Sequence, residues 1–338
     1  MVILQTPRLR LRVAREPDAA AMAEYRSNPE VAKYQDWDMP YTLERAVAGV
    51  AKQATLDDVV EGTLVSFAIE LDGEVIGDIV ACVRDGGGIA EIGYTLSPKH
   101  HGRGYATEST NAMVDHLLQN HRVHRIEASL DPENIASMRV LEALGMRMEC
   151  LARDGYLVRG EWVDDLRYSL IAQDRAAWLQ RPRTPARKVE LVDITPDDAY
   201  LWGRLRTHHS QERFVSPMAR TFRDALFPET YHGGAMVPWM RGVLADGERV
   251  GFVMLALVTE HHPEPYLWRL LIDRLHQRRG LGSRTLAALC DQLRQWGHPT
   301  LTTSWGQGPG SPEPFYLSHD FVPTGEMDDD EVIARLML

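Results

Sequence analysis

A basic run with two glycines is the part of this sequence whose residue types and spacing point most directly to chemistry. It reads Gln277-Arg278-Arg279-Gly280-Leu281-Gly282 and is followed by Ser283. Backbone N–H groups at the start of a helix have no partner within the helix, and the helix dipole adds partial positive charge there. Glycines allow a ligand to approach closely, and arginines add charge-assisted hydrogen bonds. The run therefore indicates phosphate binding at a helix start.

The residues on either side of this run predict the elements that hold it. Residues 266–272 are mostly apolar and rich in aromatic and branched side chains, which indicates a buried strand ending at Leu270, Leu271 and Ile272. From Ser283 onward, apolar residues recur at the spacing of one helix face. The predicted order is strand, glycine loop and helix.

A second copy of this arrangement occurs in the first half of the chain. Residues 91–96, which include Tyr94 and Leu96, predict the strand; the loop is His101-Gly102-Arg103-Gly104-Tyr105-Ala106, and Thr107 follows it. Neither loop carries the Gly-Lys-Ser/Thr ending of a P-loop or the third glycine of a dinucleotide fingerprint. A strand-to-helix turn explains one such loop equally well, but two copies with matching flanks favour pyrophosphate binding.

The second loop resembles the acyl-CoA pyrophosphate loop of the GNAT N-acetyltransferase superfamily, whose pattern is Gln/Arg-x-x-Gly-x-Gly/Ala. The first loop matches at Gly104 and Ala106, with His101 where Gln or Arg is usual. Its run HGRGYATE is similar to the ribosomal-protein alanine N-acetyltransferase branch, whereas the second half is similar to small-amine and polyamine acetyltransferases. The resemblance implies acetyl-CoA as cofactor, bound by both loops, their preceding strands and Asn134.

This resemblance also implies the fold class, α/β (α+β), with two GNAT domains in tandem. Each would be a mixed, mostly antiparallel sheet flanked by helices, with an acyl-CoA cleft between splayed central strands. Residues 181–187 hold two prolines and several basic residues without apolar periodicity, which indicates an exposed linker. We therefore expect domains at 1–180 and 188–338.

Composition narrows the functional classes. The formal charge of −11 argues against broad nucleic-acid binding, and no apolar run is long enough to span a bilayer. With no signal peptide visible and three scattered cysteines, we expect a cytoplasmic protein with buried reduced thiols, either monomeric or homodimeric. No metal site is predicted, because the histidine pairs 208–209 and 261–262 are adjacent rather than at ligand spacing.

Acetylation of an amine requires removal of the amine proton, stabilisation of an oxyanion and protonation of the departing thiolate. Backbone N–H groups of residues 270–272 or 94–96 are candidate oxyanion donors. By resemblance, Tyr316 is the acid; the matching position in the first half is Leu141, for which the related branch offers Ser137. Glu91 is a candidate base. Each also has an ordinary structural interpretation: aromatic packing for Tyr316, a helix start for Ser137 and a solvated strand end for Glu91.

We therefore expect an acetyl-CoA-dependent N-acetyltransferase that acts directly on the primary amine of a small molecule. Three alternatives remain open: acetylation of a protein N-terminus, a non-catalytic acyl-CoA-binding role for one domain, and an aminoacyl-tRNA-dependent amide-forming enzyme on the same fold.

Overall fold

The computed structural model describes residues 2–231 and 233–338. The chain divides into two compact units, Met1–Leu179 and Gln180–Leu338, and each is described by itself. The predicted fold class is confirmed, since each unit is a mixed sheet flanked by helices. Ala186, inside the run expected to be an exposed linker, is buried in the second unit, while most of its neighbours are exposed.

The first unit contains the following strands and helices, each set given in chain order. Its strands are β1 (Ile3–Gln5), β2 (Arg10–Val13), β3 (Leu64–Leu71), β4 (Glu74–Arg84), β5 (Ile89–Leu96), β6 (Arg125–Leu130), β7 (Arg147–Val158) and β8 (Glu161–Ile171). Its helices are α1 (Ala19–Arg26), α2 (Pro29–Ala32), α3 (Leu43–Ala51), α4 (Tyr105–Gln119), α5 (Ile135–Ala143) and α6 (Ala172–Gln180).

The second unit repeats this plan with fewer helices. Its strands are β9 (Val189–Val192), β10 (Thr230–Tyr231), β11 (Gly234–Ala235), β12 (Val237–Ala245), β13 (Glu248–Leu257), β14 (Tyr266–Ile272), β15 (Thr300–Gly306), β16 (Val322–Asp328) and β17 (Glu331–Met337). Its helices are α7 (Ala199–Trp202), α8 (Met218–Leu226), α9 (Leu281–Gln295) and α10 (Glu313–Leu317).

The two large sheets share one strand order. The first unit's sheet runs β1-β2-β3-β4-β5-β6-β8-β7, and the second unit's runs β9-β12-β13-β14-β15-β17-β16. Neighbours are antiparallel except for β5 with β6 and β14 with β15, which are parallel. The second sheet therefore reproduces the first from β2 to β7.

Both faces of each sheet are covered by helices. In β3, Phe67 and Ile69 pack into the core that contains α4 and α5, whereas Ala68 between them packs with α1 and α3. Side chains alternate across a strand, so all three can be buried only if both faces are covered. In β13 the same alternation sends Val253 towards α9 and Phe252 towards Trp202 of α7.

Each sheet opens at its parallel pair of strands. The register of β5 with β6 ends at Glu91, and that of β14 with β15 ends at Leu267, although all four strands continue. We call the two gaps the first cleft and the second cleft. In the part of the chain that the structure describes, the remaining residues of β5 and β14 have no strand partner on the cleft side. Backbone groups there that no side chain engages are therefore open to a ligand, whereas the carbonyl oxygens of Leu96 and Ile272 accept from His101 and Gln277.

The structure corrects several expectations. Residues 166–171 are the end of β8, and β7 forms the edge of the sheet beyond it; the sequence predicts neither β7 nor its counterpart β16. Both are largely exposed, so they lack the apolar alternation that marks a half-buried strand. Helices α6 and α8 were also missed. The cysteines are free, but Cys150 is exposed, so the expectation of buried thiols is wrong there.

The helices in the described residues include none that is both long and apolar enough to cross a membrane.

A close backbone approach beside the first cleft can be tested by substitution. A Cβ on Gly77 of β4 would stand 2.3 Å from the carbonyl oxygen of Thr95, a backbone atom of β5 that cannot turn aside. We expect Gly77→Ala to lower the free energy of unfolding by about 2 kcal/mol, through displacement of packed backbone. Gly88→Ala is the control, because its nearest atom would be 3.4 Å away. Equal thermal midpoints for the two variants would contradict this prediction.

Candidate functional site

The two glycine loops adopt the same backbone conformation. Gly104 has φ 78° and Gly280 has φ 71°, and each is the residue immediately before its 15-residue helix, α4 or α9. This left-handed conformation favours glycine. Two residues earlier, Gly102 has φ 73° and Arg278 has φ 64°, so Arg278 adopts the same conformation despite its side chain.

His101 and Gln277 perform the same local task. The His101 Nε2 lies 2.8 Å from the carbonyl oxygen of Leu96, and the Gln277 Nε2 lies 3.0 Å from that of Ile272. Both side chains donate to the last residue of the strand before the loop, five positions back. The histidine that departs from the family pattern therefore makes the contact that the usual glutamine makes.

The helix starts behind these loops are available to an anion. Neither α4 nor α9 has a side-chain cap at its N-terminus, and no heavy atom lies within 4 Å of where a Cβ on Gly280 would stand. Ser283 and Thr107 lie in the first turns of the two helices, beside Gly282 and Ala106. Open N–H groups at a positive helix end fit the pyrophosphate of acetyl-CoA.

The charges around the loops differ from the sequence expectation. Arg279 is 6% exposed, and its guanidinium donates to the carbonyl oxygen of Thr184 at 2.8 Å and contacts the His276 Nδ1 at 3.0 Å. Its charge therefore does not face a ligand, which corrects its predicted role as a phosphate contact. Arg278 and Arg103 are exposed, so their side chains are free to contact a phosphate.

Arg8 is a contact of the first loop that sequence reasoning missed. Its guanidinium donates to the carbonyl oxygen of Arg103 at 3.0 Å and lies over the ring of Tyr105, 4.5 Å from the centroid. It also pairs with Glu108 of α4 at 2.6 Å, and this contact contributes to a lowered Glu108 pKa. The loop is thereby tied to the chain just before β2.

Two predicted residues of the first cleft meet directly. The Tyr94 hydroxyl of β5 lies 2.7 Å from the Ser137 Oγ of α5, and burial raises the pKa of Tyr94. Asn134 accepts a hydrogen bond from the Ser137 backbone N–H at 3.1 Å, so its side-chain oxygen caps α5. Ser137 thus lies near a helix start, as its structural interpretation has it, and is also paired with a phenol.

Tyr316 is buried among aromatic rings. It stacks on Trp305 with 5.5 Å between centroids and 10° between planes, and its edge meets Phe321. Burial raises the pKa of Tyr316 to about 12, opposed by a hydrogen bond with the Thr303 side chain. The phenol therefore stays protonated at neutral pH, as an acid must.

Glu91 is exposed at the point where β5 and β6 part. It belongs to a negative neighbourhood centred on Tyr156 of β7, whose hydroxyl donates to Asp36 at 2.8 Å. Burial, followed by Asp36, Glu91 and the buried Asp165, raises the pKa of Tyr156 to about 12. Asp165 is paired with Arg167 at 2.8 Å, so the negative charge near Tyr156 that remains for a positively charged ligand is that of Asp36 and Glu91.

A serine paired with an acid recurs in both units, and no local sequence pattern predicts this pair. The Ser129 Oγ lies 3.4 Å from an Asp165 carboxylate oxygen, and the Ser304 hydroxyl donates to the Glu331 carboxylate. When the two sheets are aligned by their strand registers, with Gly77 matched to Gly251, the two serine–acid pairs occupy corresponding positions.

In the second cleft this pair extends by one residue. The Tyr266 hydroxyl lies 2.7 Å from the Ser304 Oγ, so Tyr266, Ser304 and the exposed Glu331 form a continuous hydrogen-bonded chain. Tyr266 stands at the sheet position that Glu91 has in the first unit. Glu264, by contrast, is held by Arg335 and Thr300, which indicates a structural ion pair.

The remaining predicted residues line the strand ends and loop corners. Leu96, Leu271 and Leu281 are buried. The residues that reach the surface more are Leu270, Ile272 and Gly282 of the second unit and Gly102 and Tyr105 around the first loop. His262 lies in a loop but is buried.

Comparison with known proteins finds the same family in both halves. The model described as "Acetyltransferase (GNAT) domain" matches residues 8–147, and that described as "Acetyltransferase (GNAT) family" matches residues 202–307. The uncharacterized N-acetyltransferase p20 of Bacillus licheniformis is 35% identical over 180 residues, which are 52% of this chain and 99% of that protein.

Two further similarities involve named acetyltransferases. The [ribosomal protein uS5]-alanine N-acetyltransferase of Escherichia coli is 31% identical over 83 residues, 25% of this chain and 43% of that protein. A solved structure, Mycobacterium smegmatis RimJ in complex with CoA-disulfide, is 30% identical and covers 49% of this chain and 83% of its own, with a TM-score of 0.44.

The shared contact of His101 and Gln277 predicts which substitutions the loops tolerate. Replacing His101 with alanine removes a hydrogen bond worth about 1 kcal/mol, so we expect coenzyme A to bind the first loop about 5-fold more weakly. His101→Gln should bind like the wild type, because Gln277 already makes this contact in the second loop. Calorimetric titration of the full chain would measure both; equal weakening by alanine and glutamine would refute the equivalence.

Proposed function

Because the chain belongs to the GNAT acetyltransferase family, we propose that it transfers an acetyl group from acetyl-CoA to the primary amine of a small, positively charged molecule. The observation that supports the choice of acceptor is the presence of Glu91 and Asp36 near Tyr156, since the third carboxylate, Asp165, is already paired with Arg167. Such a field attracts an alkylammonium and repels an anion.

Acetyl-CoA, when bound, supplies an acetyl group activated as a thioester. Its pyrophosphate would be held by the backbone N–H groups behind Gly104 and Gly280. Neither helix start has a side-chain cap, and no heavy atom lies within 4 Å of where a Cβ on Gly280 would stand, which supports this role. The free edges of β5 and β14 would orient the acyl chain and offer N–H donors to the acetyl oxygen. We propose that both clefts bind the cofactor, since both loops have the same geometry.

The acceptor must lose a proton, because an alkylamine has a pKa of about 10.4 and is charged at neutral pH. In the second cleft we propose that the proton passes from the amine along Tyr266 and Ser304 to Glu331, which is exposed and can release it to solvent. In the first cleft Glu91 would accept the proton directly. The positional match of Tyr266 and Glu91 supports this assignment.

The departing thiolate needs only a weak acid. Tyr316 would hold the required proton in the second unit, where burial keeps its phenol protonated up to a pH of about 12. In the first unit Leu141 is a buried apolar residue, and we propose that Ser137 donates instead, resupplied by the Tyr94 hydroxyl 2.7 Å away. The transfer would be direct, without an acetylated enzyme.

A second candidate is acetylation of a protein N-terminus. The similarity of 31% over 83 residues to the ribosomal-protein uS5 alanine N-acetyltransferase favours it. A protein N-terminus is also an amine, so the same proton path would apply. The tRNA-dependent alternative has less support, because the charge of −11 opposes binding of a polyanion.

The acceptor class can be decided by direct competition. We expect the full chain with acetyl-CoA to acetylate polyamines and amino sugars with a kcat/KM at least 10-fold above that for peptides with an N-terminal alanine. Glu91→Gln should lower kcat/KM for the cationic amines, because it removes both a negative charge near the first cleft and the proposed proton acceptor, whereas Glu16→Gln, at an exposed acid far along the sequence, should not. A preference for peptides would transfer the proposal to protein N-termini.

The acids of the two clefts can be separated by substitution. We expect Tyr316→Phe to lower kcat by about 100-fold for turnover in the second unit, with little change in KM for acetyl-CoA, because only proton transfer is lost. Ser137→Ala should have a smaller effect, because the Tyr94 hydroxyl remains. Wild-type kcat should show no decline from tyrosine ionisation between pH 7 and 10, since the pKa of Tyr316 is raised to about 12.

Steady-state rates and pH profiles of the two single variants and the double variant would test these assignments. Full activity in Tyr316→Phe combined with lost activity in Ser137→Ala would overturn them and place turnover in the first unit. Full activity in the double variant would remove both residues from catalysis.

A further inference from the structure

We infer that Asp58, His116 and His121 of the first unit form a binding site for one divalent transition-metal ion of the zinc type. The site lies outside the acetyl-transfer chemistry, at the C-terminal end of the helix whose N-terminal end carries the first glycine loop. It is independent of the proposed acceptor.

The side chains of three potential ligand residues converge on one point. The His116 Nε2 lies 2.8 Å from one oxygen of Asp58, the His121 Nε2 lies 3.1 Å from the other, and the two nitrogens lie 3.2 Å apart. Zinc bonds of about 2.0–2.1 Å in a tetrahedron place neighbouring ligand atoms about 3.3 Å apart. The observed separations are close to that spacing, so a metal could enter with small movements of the side chains.

Hydrogen bonding alone does not satisfy this arrangement well. A carboxylate can only accept, so each of its two contacts requires a proton on the facing Nε2. Two N–H groups that both point at the carboxylate would then lie side by side, with their nitrogens only 3.2 Å apart, which is unfavourable. One cation replaces both protons and satisfies all three groups at once, using the neutral imidazoles and the ionised carboxylate that zinc prefers.

The protein holds the ligands in place and leaves a path for the ion. His116 is almost fully buried on the last turn of α4, with 2% of its side chain exposed. Asp58 accepts the backbone N–H of Val59 at 2.7 Å, a second contact of the kind that orients metal ligands. The side chains of Asp58 and His121 are 28% and 23% exposed, which leaves a fourth position open to water.

The position of the site indicates a structural task. His116 is eleven residues beyond Tyr105, about 16 Å along the helix from the glycine loop. Asp58 lies in the irregular segment between α3 and β3, and His121 follows the end of α4. A metal would therefore fasten that segment to the helix that positions the pyrophosphate loop, without touching substrate.

Zinc binding by the full chain tests this site. After treatment with a chelator, the protein would be titrated with Zn²⁺ in competition with a chromophoric chelator, and with Co²⁺ while recording the visible spectrum. We expect one tight site per chain, a tetrahedral Co²⁺ spectrum and a higher thermal midpoint with Zn²⁺. His121→Ala and Asp58→Asn should each weaken binding at least 100-fold, whereas His124→Ala, an exposed histidine three residues away, should bind like the wild type.

Calorimetric binding of coenzyme A to each variant would check that its fold is intact. Wild-type Zn²⁺ affinity in both His121→Ala and Asp58→Asn would overturn the site, as would weak binding that His124→Ala reduces equally. A wild-type protein whose thermal midpoint and Co²⁺ spectrum do not respond to the metal would also overturn it.

Discussion

The opening between two parallel strands is the constraint on which the rest of each unit depends. A strand that loses its neighbour leaves backbone N–H and C=O groups unpaired, and burying such groups without partners costs free energy. The gap persists here because helices pack on both faces of each sheet, so that β5 and β14 are fixed by packing although one edge lacks a strand partner. A ligand with its own polar backbone, such as the pantetheine arm of acetyl-CoA, would complete the pairing. The gap is thus the part of the sheet with the fewest backbone hydrogen bonds, and a ligand that supplies them there would gain the most binding free energy.

The two units show how one framework can carry different side chains. Corresponding positions of the two sheets hold Glu91 and Tyr266, while His101 and Gln277 make the same contact from different chemistry. Backbone features are retained more closely: the left-handed glycines before α4 and α9 and the close approach of a neighbouring carbonyl to Gly77 and Gly251 occur in both. The backbone framework is therefore common to the two units, whereas the side chains proposed to accept or donate protons differ between them.

Sequence patterns were sufficient for the buried elements and the glycine loops. Strands β5 and β14 are predicted because they carry apolar residues that contact a core, and the loops are recognisable from residue types alone. Edge strands β7 and β16 face solvent on much of their surface, so no apolar period marked them. Constellations such as Ser304 with Glu331 are made by strand register, which a linear spacing of 27 residues does not reveal. The same applies to Asp58, which lies 58 residues before His116.

The contacts of the Arg279 side chain limit which groups of the second loop can face an anion. Sequence reasoning counted two arginines towards the phosphate, but Arg279 instead satisfies the carbonyl oxygen of Thr184, in the run before β9. Arg284 of α9 likewise donates to the carbonyl oxygens of Ala186 and Arg187, so two cations of this region are used to fasten that run to the unit. An attraction for phosphate would then rest on Arg278 and on the open N–H groups behind Gly280. Because those N–H groups are fixed by the helix, they would bind an anion without the loss of side-chain entropy that a flexible arginine incurs.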